Sequence, residues 1–184
     1  MQIIAGQNRG AKLISPQGDF VRPTGQRTRE SLFNILAAGK LIDSLSHINC
    51  LDLFAGSGAL GLEALSRGAN YSYFVEKHHE AIACIKQNTR KLDVESRSRI
   101  TQADCLTTSR WLYDKADLVF CDPPYDKGLA LPAIENFKAI GAFADNALIV
   151  IETRRTTILD LPETMELLDQ RRYGIALLSF CRYR

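Results

Sequence analysis

Short apolar runs alternate with amphipathic segments along most of the chain, a pattern typical of strands followed by helices. The apolar runs predict strands over 47–54, 71–76, 98–104, 116–122 and 146–153. Helical spacing between them predicts helices over 58–68, 78–92, 107–113 and 129–140. Repeated strand–helix units favour a Rossmann-like α/β fold, in which helices cover both faces of a mostly parallel central sheet. In such sheets, ligands bind at the carboxyl ends of the strands.

The two ends of the chain depart from this pattern. Residues 2–15 alternate loosely around a turn and predict a short β-hairpin, which is followed by a predicted helix over 27–38. The segment "MELLDQRRYGIALLSFCRY" predicts two antiparallel strands, so that the sheet ends in an antiparallel C-terminal strand. We therefore expect an N-terminal extension, residues 1–40, and a main domain, residues 41–184.

Composition excludes several classes of protein. The chain has 184 residues, of which 46% are hydrophobic, enough for one domain with an ordinary core. Its apolar runs are too short to span a bilayer and its start is unlike a signal peptide, so we expect a cytoplasmic protein. Five cysteines without a CxxC pair argue against both a metal site and a disulfide framework. The working expectation for the oligomeric state is a monomer.

Charge is unevenly distributed along the chain. Residues 1–40 carry six Lys or Arg against two acids, a charge of +4, which leaves −2 for the rest of a chain whose net charge is +2. This asymmetry suits an N-terminal face that meets nucleic-acid phosphates, although a solvated basic surface is an equal alternative. The candidate phosphate-binding residues are Arg9, Lys12, Arg22, Arg27 and Arg29.

A glycine-rich loop lies between the first predicted strand of the main domain and its helix. The spacing Gly56-x-Gly58-x-x-Gly61, with Glu76 at the end of the next strand, matches the dinucleotide-binding fingerprint, so a nicotinamide-dependent oxidoreductase must be considered. Asp52 argues against it, because a carboxylate about 4 Å from a pyrophosphate charge would repel it by roughly 4 kcal/mol at an effective dielectric near 20. S-adenosylmethionine, which is cationic and has no phosphate, fits better. The alternative is a tight turn in which Asp52 only caps the helix.

The remaining residues predicted to bind the methyl donor lie at the same carboxyl edge of the predicted sheet. We expect Glu76 to bind ribose hydroxyls and Asp104, at the end of the third strand, to lie near the adenine amine. The other predicted cofactor-binding residues are their neighbours Phe54, Ala55, Ser57, Lys77 and Cys105.

"DPPY", residues 122–125, ends the fourth predicted strand. Two prolines stop the hydrogen-bonded ladder and stiffen the backbone. Asp122 and the carbonyl of Pro123 offer two acceptors for the two hydrogens of an exocyclic amine, and Tyr125 offers a flat face for a base extruded from its stack. We therefore predict that Asp122, Pro123, Pro124 and Tyr125 form the catalytic loop of an amine methyltransferase.

Together, "DLFAGSGALGLEALSRGA", the strand end at Glu76 and "DPPY" resemble the class I S-adenosylmethionine-dependent methyltransferases of exocyclic amines. The N-terminal "RGAKL" and "RPTGQRTRESLFNIL" are similar to those of the bacterial 16S ribosomal RNA guanine-N2 methyltransferases of the RsmD type, named for guanine 966. The resemblance implies that the substrate is 16S ribosomal RNA or the small ribosomal subunit. It also implies that Arg22, Thr24, Arg27 and Arg29 face the catalytic cleft and the RNA. Gln26 replaces the acid expected in many relatives, which leaves the role of that turn open.

Two rival functions stay open besides the oxidoreductase. "DPPY" alone would also suit a DNA adenine-N6 methyltransferase, although this chain has little spare length for a DNA-recognition region. A non-catalytic RNA-binding assembly factor would not need the intact pair of Asp122 and Tyr125.

Overall fold

The computed structural model describes residues 1–16, 25–125 and 127–184 of the chain. Its helices are α1 Gln26–Ala37, α2 Ala59–Ser66, α3 His79–Lys91 and α4 Ala130–Ala139, with a 3-10 turn at Glu95–Arg97. Its strands are β1 Asn49–Leu53, β2 Tyr71–Glu76, β3 Ser98–Gln102, β4 Ala116–Cys121, β5 Phe143–Arg154, β6 Met165–Tyr173 and β7 Ala176–Tyr183. The predicted strands are thus confirmed, with bounds that differ by at most three residues.

The strands form one seven-stranded sheet in the order β3-β2-β1-β4-β5-β7-β6. Strands β1 to β5 are parallel, and β7 runs antiparallel to both β5 and β6. Strands β2 and β3 lie on one side of β1, and the chain then crosses to β4 on the other side of β1. Strand order therefore reverses between β1 and β4, the position at which ligands bind in doubly wound sheets.

Helices cover both faces of the sheet, as predicted. On one face, Phe33 of α1, Leu62 of α2 and Ile85 of α3 belong to a buried cluster with Phe120 of β4. On the other face, Phe137 of α4 packs with the remaining apolar side chains of the parallel strands. Because both faces are buried, the central strands are largely apolar on both sides.

The prediction of a helix over 107–113 is wrong, because this segment has no regular secondary structure. Asn136 of α4 donates from Nδ2 to the carbonyls of Cys105 and Thr108, at 3.0 and 2.9 Å, which takes these acceptors away from a helical ladder. Trp111 packs edge-on against Phe137, with ring centroids 5.8 Å apart. Side-chain bonds and aromatic burial therefore hold the segment in place of helical bonds.

The first fourteen residues form a strap that is tied down on α2 and α3. Its two arms meet at a single antiparallel bridge between Gln2 and Lys12, a shorter pairing than the predicted hairpin ladder. Glu63 of α2, which is fully buried, accepts the backbone N–H groups of Ile4 and Ala5 at 2.7 and 3.1 Å. These buried, charge-assisted bonds make the strap part of the same body as the sheet.

Candidate active site

A cleft of about 970 Å³ opens at the carboxyl edge of the sheet, where β1, β2, β4 and β5 end. It brings together nearly all the sequence-predicted donor and catalytic residues: Asp52, Phe54, Ala55, Gly56, Ser57, Glu76, Lys77, Asp104, Cys105, Asp122, Pro123, Pro124 and Tyr125. Gly58 does not line the cleft; it is the N-terminal cap of α2. Residues that lie about 70 positions apart in the sequence thus share one site because parallel strands end at the same edge.

The glycine loop follows β1 and turns sharply into α2. Phe54, Gly56 and Gly58 all have positive φ values, of 58°, 57° and 78°, a conformation that favours glycine. At Gly61, an added Cβ would lie 2.4 Å from the Ser72 hydroxyl oxygen, so the glycine allows α2 to pack directly on β2. The glycines therefore allow a sharp turn at the cleft and close packing of α2 on the sheet behind it.

Glu76, at the end of β2, holds the glycine loop. Its carboxylate is only 6% exposed and accepts three backbone N–H groups, from Gly56 at 2.9 Å and from Lys77 and His78 at 2.8 Å each. A carboxylate has about four lone-pair sites, so one direction toward the cleft remains available. Glu76 therefore positions the loop, a role that the sequence did not reveal.

Asp52, at the end of β1, is 1% exposed and accepts the backbone N–H of Gly61 at 3.0 Å. This bond satisfies an N–H group in the first turn of α2, so Asp52 makes the capping contact that the alternative expected. Burial raises the pKa of Asp52 to about 8, the Gly61 bond lowers it and the nearby charge of Glu76 raises it further. A buried acid of this kind is mostly neutral at pH 7 until a cation approaches it.

Asp104 lies in the loop after β3, two residues beyond the strand end. It accepts the N–H of Leu106 at 2.9 Å and contacts the ammonium group of Lys77 at 3.5 Å. Both side chains of the ion pair are substantially exposed, so the pair adds little stability. Burial raises the pKa of the neighbouring Cys105 thiol to about 12, so that this side chain lines the cleft as a neutral, apolar group.

The predicted catalytic loop begins directly after β4. Asp122 is half-buried, Pro123 is buried and Tyr125 is half-buried. The hydroxyl of Tyr125 donates to Glu152 Oε1 at 2.6 Å, and the guanidinium carbon of Arg154 lies 6.0 Å from the centre of the tyrosine ring. The Tyr125 ring is thus held between two side chains of β5.

Glu152 and Arg154 line the cleft and were missed by the sequence analysis. A signal existed, because Glu152 ends the apolar run "ALIVI" as Asp122 ends "ADLVF". The fifth apolar run is therefore also followed by an acid at the ligand-binding edge, although β5 itself extends to Arg154.

The predicted RNA-binding residues fall into three groups. Arg22 and Thr24 lie outside the described residues. Arg9 and Lys12 are exposed on the strap, and Arg27 is exposed on α1.

The prediction that Arg29 binds RNA is wrong, because its side chain is 0% exposed and cannot contact a phosphate at the surface. Its Nη2 donates to the carbonyl of Gln2 at 2.6 Å, while Nε and Nη1 have no hydrogen-bond partner among the described residues. Burial lowers its pKa, and the nearby charge of Glu63 raises it. Arg29 therefore joins α1 to the strap.

Three other features bear on the class of protein. Residues 1–16, 25–125 and 127–184 contain no group of three or more His, Cys, Asp or Glu side chains that could hold a metal ion. The same part of the chain has no helix both long and apolar enough to cross a membrane. All five cysteines, each of them described, are buried free thiols.

The doubly wound sheet, the glycine loop and the "DPPY" loop at its switch point define a class I methyltransferase fold. A solved structure of a protein from Escherichia coli, named provisionally as a methyltransferase, superposes with a TM-score of 0.82 at 33% identity and covers 100% of this chain and 98% of that one. A magnesium protoporphyrin IX methyltransferase from Synechocystis, solved with bound S-adenosylmethionine, shares the fold at 14% identity, with a TM-score of 0.62 over 86% of this chain and 79% of its own.

The chain belongs to the family described as "Conserved hypothetical protein 95", whose model matches residues 1–182. Ribosomal RNA small subunit methyltransferase D from Haemophilus influenzae is 37% identical over 182 residues, which cover 95% of this chain and 90% of the relative. The protein of that name from Escherichia coli K12 is 38% identical over 153 residues, 83% of this chain and 74% of its own. The expected resemblance to RsmD-type enzymes is confirmed.

Proposed function

We propose that this protein transfers a methyl group from S-adenosylmethionine to the exocyclic N2 of a guanine in small-subunit ribosomal RNA. The observation that carries the proposal is the meeting, in one cleft, of the glycine loop after β1 and the "DPPY" loop after the neighbouring strand β4. The names of the relatives at 37% and 38% identity support small-subunit RNA as the substrate. The resemblance to RsmD-type enzymes supports N2 of guanine 966 as the target atom.

The residues of the cleft fit S-adenosylmethionine. A volume of about 970 Å³ is large enough for the donor and part of a second molecule. Asp52 is a buried acid that a cation would stabilise in its charged form, and Gly56 lines the cleft beside it without a side chain. In this site Glu76 would bind the ribose hydroxyls while it holds the loop, and Asp104 would lie on the adenine side. The donor supplies an electrophilic methyl group attached to a sulfonium.

The catalytic loop would act on the acceptor amine. Asp122 and the carbonyl of Pro123 would accept its two hydrogens, which lets the nitrogen pyramidalise and free its lone pair for in-line attack. The new C–N bond forms as the C–S bond breaks, and the proton that the amine loses has Asp122 as its candidate acceptor. Tyr125, held by Glu152, would stack on the extruded base.

The RNA would approach across the basic N-terminal side of the molecule. Arg9, Lys12 and Arg27 are the exposed cations of that side within the described residues 1–16 and 25–40, apart from Lys40. Residues 1–40 would then act as an RNA-facing extension. Their buried apolar side chains nevertheless belong to the same core cluster as those of the sheet, α2 and α3. A ribosomal substrate also implies action in the cytoplasm, with a monomer as the simplest functional unit.

Transfer of a labelled methyl group to purified polymers tests this proposal. Small-subunit ribosomal RNA and duplex DNA are incubated with the protein and labelled donor, in parallel with the Asp122→Ala variant. Label in RNA that depends on Asp122 supports the proposal. Label in DNA favours the adenine-N6 alternative, and donor binding with no transfer to any polymer favours an assembly factor.

A further inference from the structure

A second carboxylate stands beside the proposed amine-binding site. Strands β4 and β5 are parallel, and their last registered pair is Cys121 with Ile151, so the next residues along the two strands are Asp122 and Glu152. Neighbouring strands in a sheet lie about 4.8 Å apart, which brings the two residues to the same edge. Glu152 is only 6% exposed and lines the same cleft as Asp122.

Tyr125 fixes the position of the Glu152 carboxylate. Its hydroxyl donates to Oε1 at 2.6 Å, a short, charge-assisted bond. A carboxylate accepts about four hydrogen bonds, so Glu152 can take a donor from a ligand in addition to donors of the protein. The same bond ties the carboxylate to the ring on which the base is proposed to stack.

The base edge that such a carboxylate would recognise is that of guanine. Guanine carries an N1–H next to its 2-amine, so both positions are donors. Adenine carries an unprotonated N1 next to its 6-amine, so one position is a donor and the other an acceptor. A carboxylate beside the amine-binding acceptors would therefore bind the guanine edge and repel the unprotonated N1 of adenine.

We propose that Glu152 is a specificity-determining residue that selects guanine by accepting its N1–H, an inference that rests on the proposed function. Asp122 and the Pro123 carbonyl would hold the reacting amine, and Glu152 would read the adjacent ring position. The Watson–Crick edge of a base that has left its helix is exposed for this contact. The competing view is that Glu152 only orients Tyr125.

Replacement of one nucleotide in the substrate separates the two views. Small-subunit RNA is prepared by ligation with either guanosine or 2-aminopurine riboside at the position that the enzyme methylates. 2-Aminopurine keeps the 2-amine but lacks N1–H and O6. A carboxylate cannot bind O6, because both are acceptors, so the change caused by removing Glu152 reports the N1–H contact.

We expect the wild-type protein to prefer guanosine, in kcat/KM, by roughly 10- to 100-fold, the effect of one charge-assisted hydrogen bond. Glu152→Ala should bring this ratio close to one, because it slows the guanosine reaction much more than the 2-aminopurine reaction. Tyr125→Phe, which removes the bond to Glu152 but keeps the carboxylate, should lower both rates and retain most of the preference. Glu166→Ala, an exposed acid on β6, is the matched control and should change neither rate.

Two results would overturn the inference about Glu152, and a third, different result would overturn the proposed function on which it rests. Equal rates on both substrates for the wild type, or equal losses on both in Glu152→Ala, would mean that Glu152 does not read N1–H. Should Glu152→Ala not fold, Glu152→Gln keeps the volume and a neutral acceptor, and it should reduce the ratio without abolishing it. Failure of the wild type to methylate guanosine RNA while it binds the donor would instead overturn the proposed function.

Discussion

Binding of S-adenosylmethionine should release a proton from Asp52. The buried carboxyl has a pKa of about 8 in the free protein, so at pH 7 roughly 0.9 of the molecules carry the proton. A cation in the cleft favours the charged carboxylate and lowers this pKa toward its ordinary value. Donor binding at pH 7 should therefore release close to one proton, and at pH 9 only about 0.1, because the free protein is then already ionised.

The same linkage fixes the sign and size of the effect on affinity. The affinity for the donor should rise with pH by up to tenfold per unit below pH 7 and level off above pH 8, a total change of roughly 100-fold between pH 6 and pH 9. Asp52→Asn is the matched variant, because its amide oxygen can still accept the Gly61 N–H that caps α2. Titration of the donor's own amine contributes equally to both proteins.

Isothermal titration calorimetry in two buffers with different ionisation enthalpies counts the released protons. We expect the Asp52→Asn variant to bind more weakly and to release about one proton fewer than the wild type at pH 7. Identical proton counts and identical pH profiles for the two proteins would show that Asp52 does not meet the cationic part of the donor.

Three further predictions concern other parts of the molecule. Glu76→Ala should weaken donor binding at least tenfold and also lower the melting temperature, because it removes an acceptor of three loop N–H groups; an unchanged calorimetric affinity would exclude Glu76 from the donor site. Gly6→Ala should destabilise the protein by more than about 1 kcal/mol in chemical denaturation, since its Cβ would lie 1.8 Å from a carbonyl oxygen of α2, whereas Gly10→Ala, with a similar φ of 82° and open space around it, should cost less. Arg27→Gln should reduce the slope of log affinity for RNA against log salt by about 0.7 with normal melting, and Arg29→Gln should instead lower the melting temperature; the reverse result would contradict the assignment of Arg29 to the interior.

The sheet and the grouping of acids at its carboxyl edge were predictable because their signals are local. An apolar run that ends in an acid, followed by glycines and a helix, reports both the strand and the edge at which its polar residue lies. Asp52 lies in such a run shortly before the glycine loop, Glu76 and Asp122 each end an apolar run, and the parallel sheet brings the three acids together. The antiparallel C-terminal pair was equally visible from the turn at Gly174.

The failures occurred where contacts from distant residues decide the structure. The carbonyls of 105 and 108 are bound by Asn136 of α4, which no local pattern near residue 107 can reveal. Arg29 reads as a surface cation, yet it is buried where α1 meets the strap. Glu152 carries a local signal, but its bond to Tyr125 joins two strand ends that only the folded sheet brings together.

The identity of the methylated nucleoside tests the central claim most directly. Small-subunit ribosomal RNA that has received a labelled methyl group is digested to nucleosides and separated by liquid chromatography with mass detection. We expect one labelled product, N2-methylguanosine, in amounts that depend on Asp122. Label in N6-methyladenosine, or in any nucleoside methylated on a ring atom or a ribose, would contradict the proposed mechanism at its acceptor site.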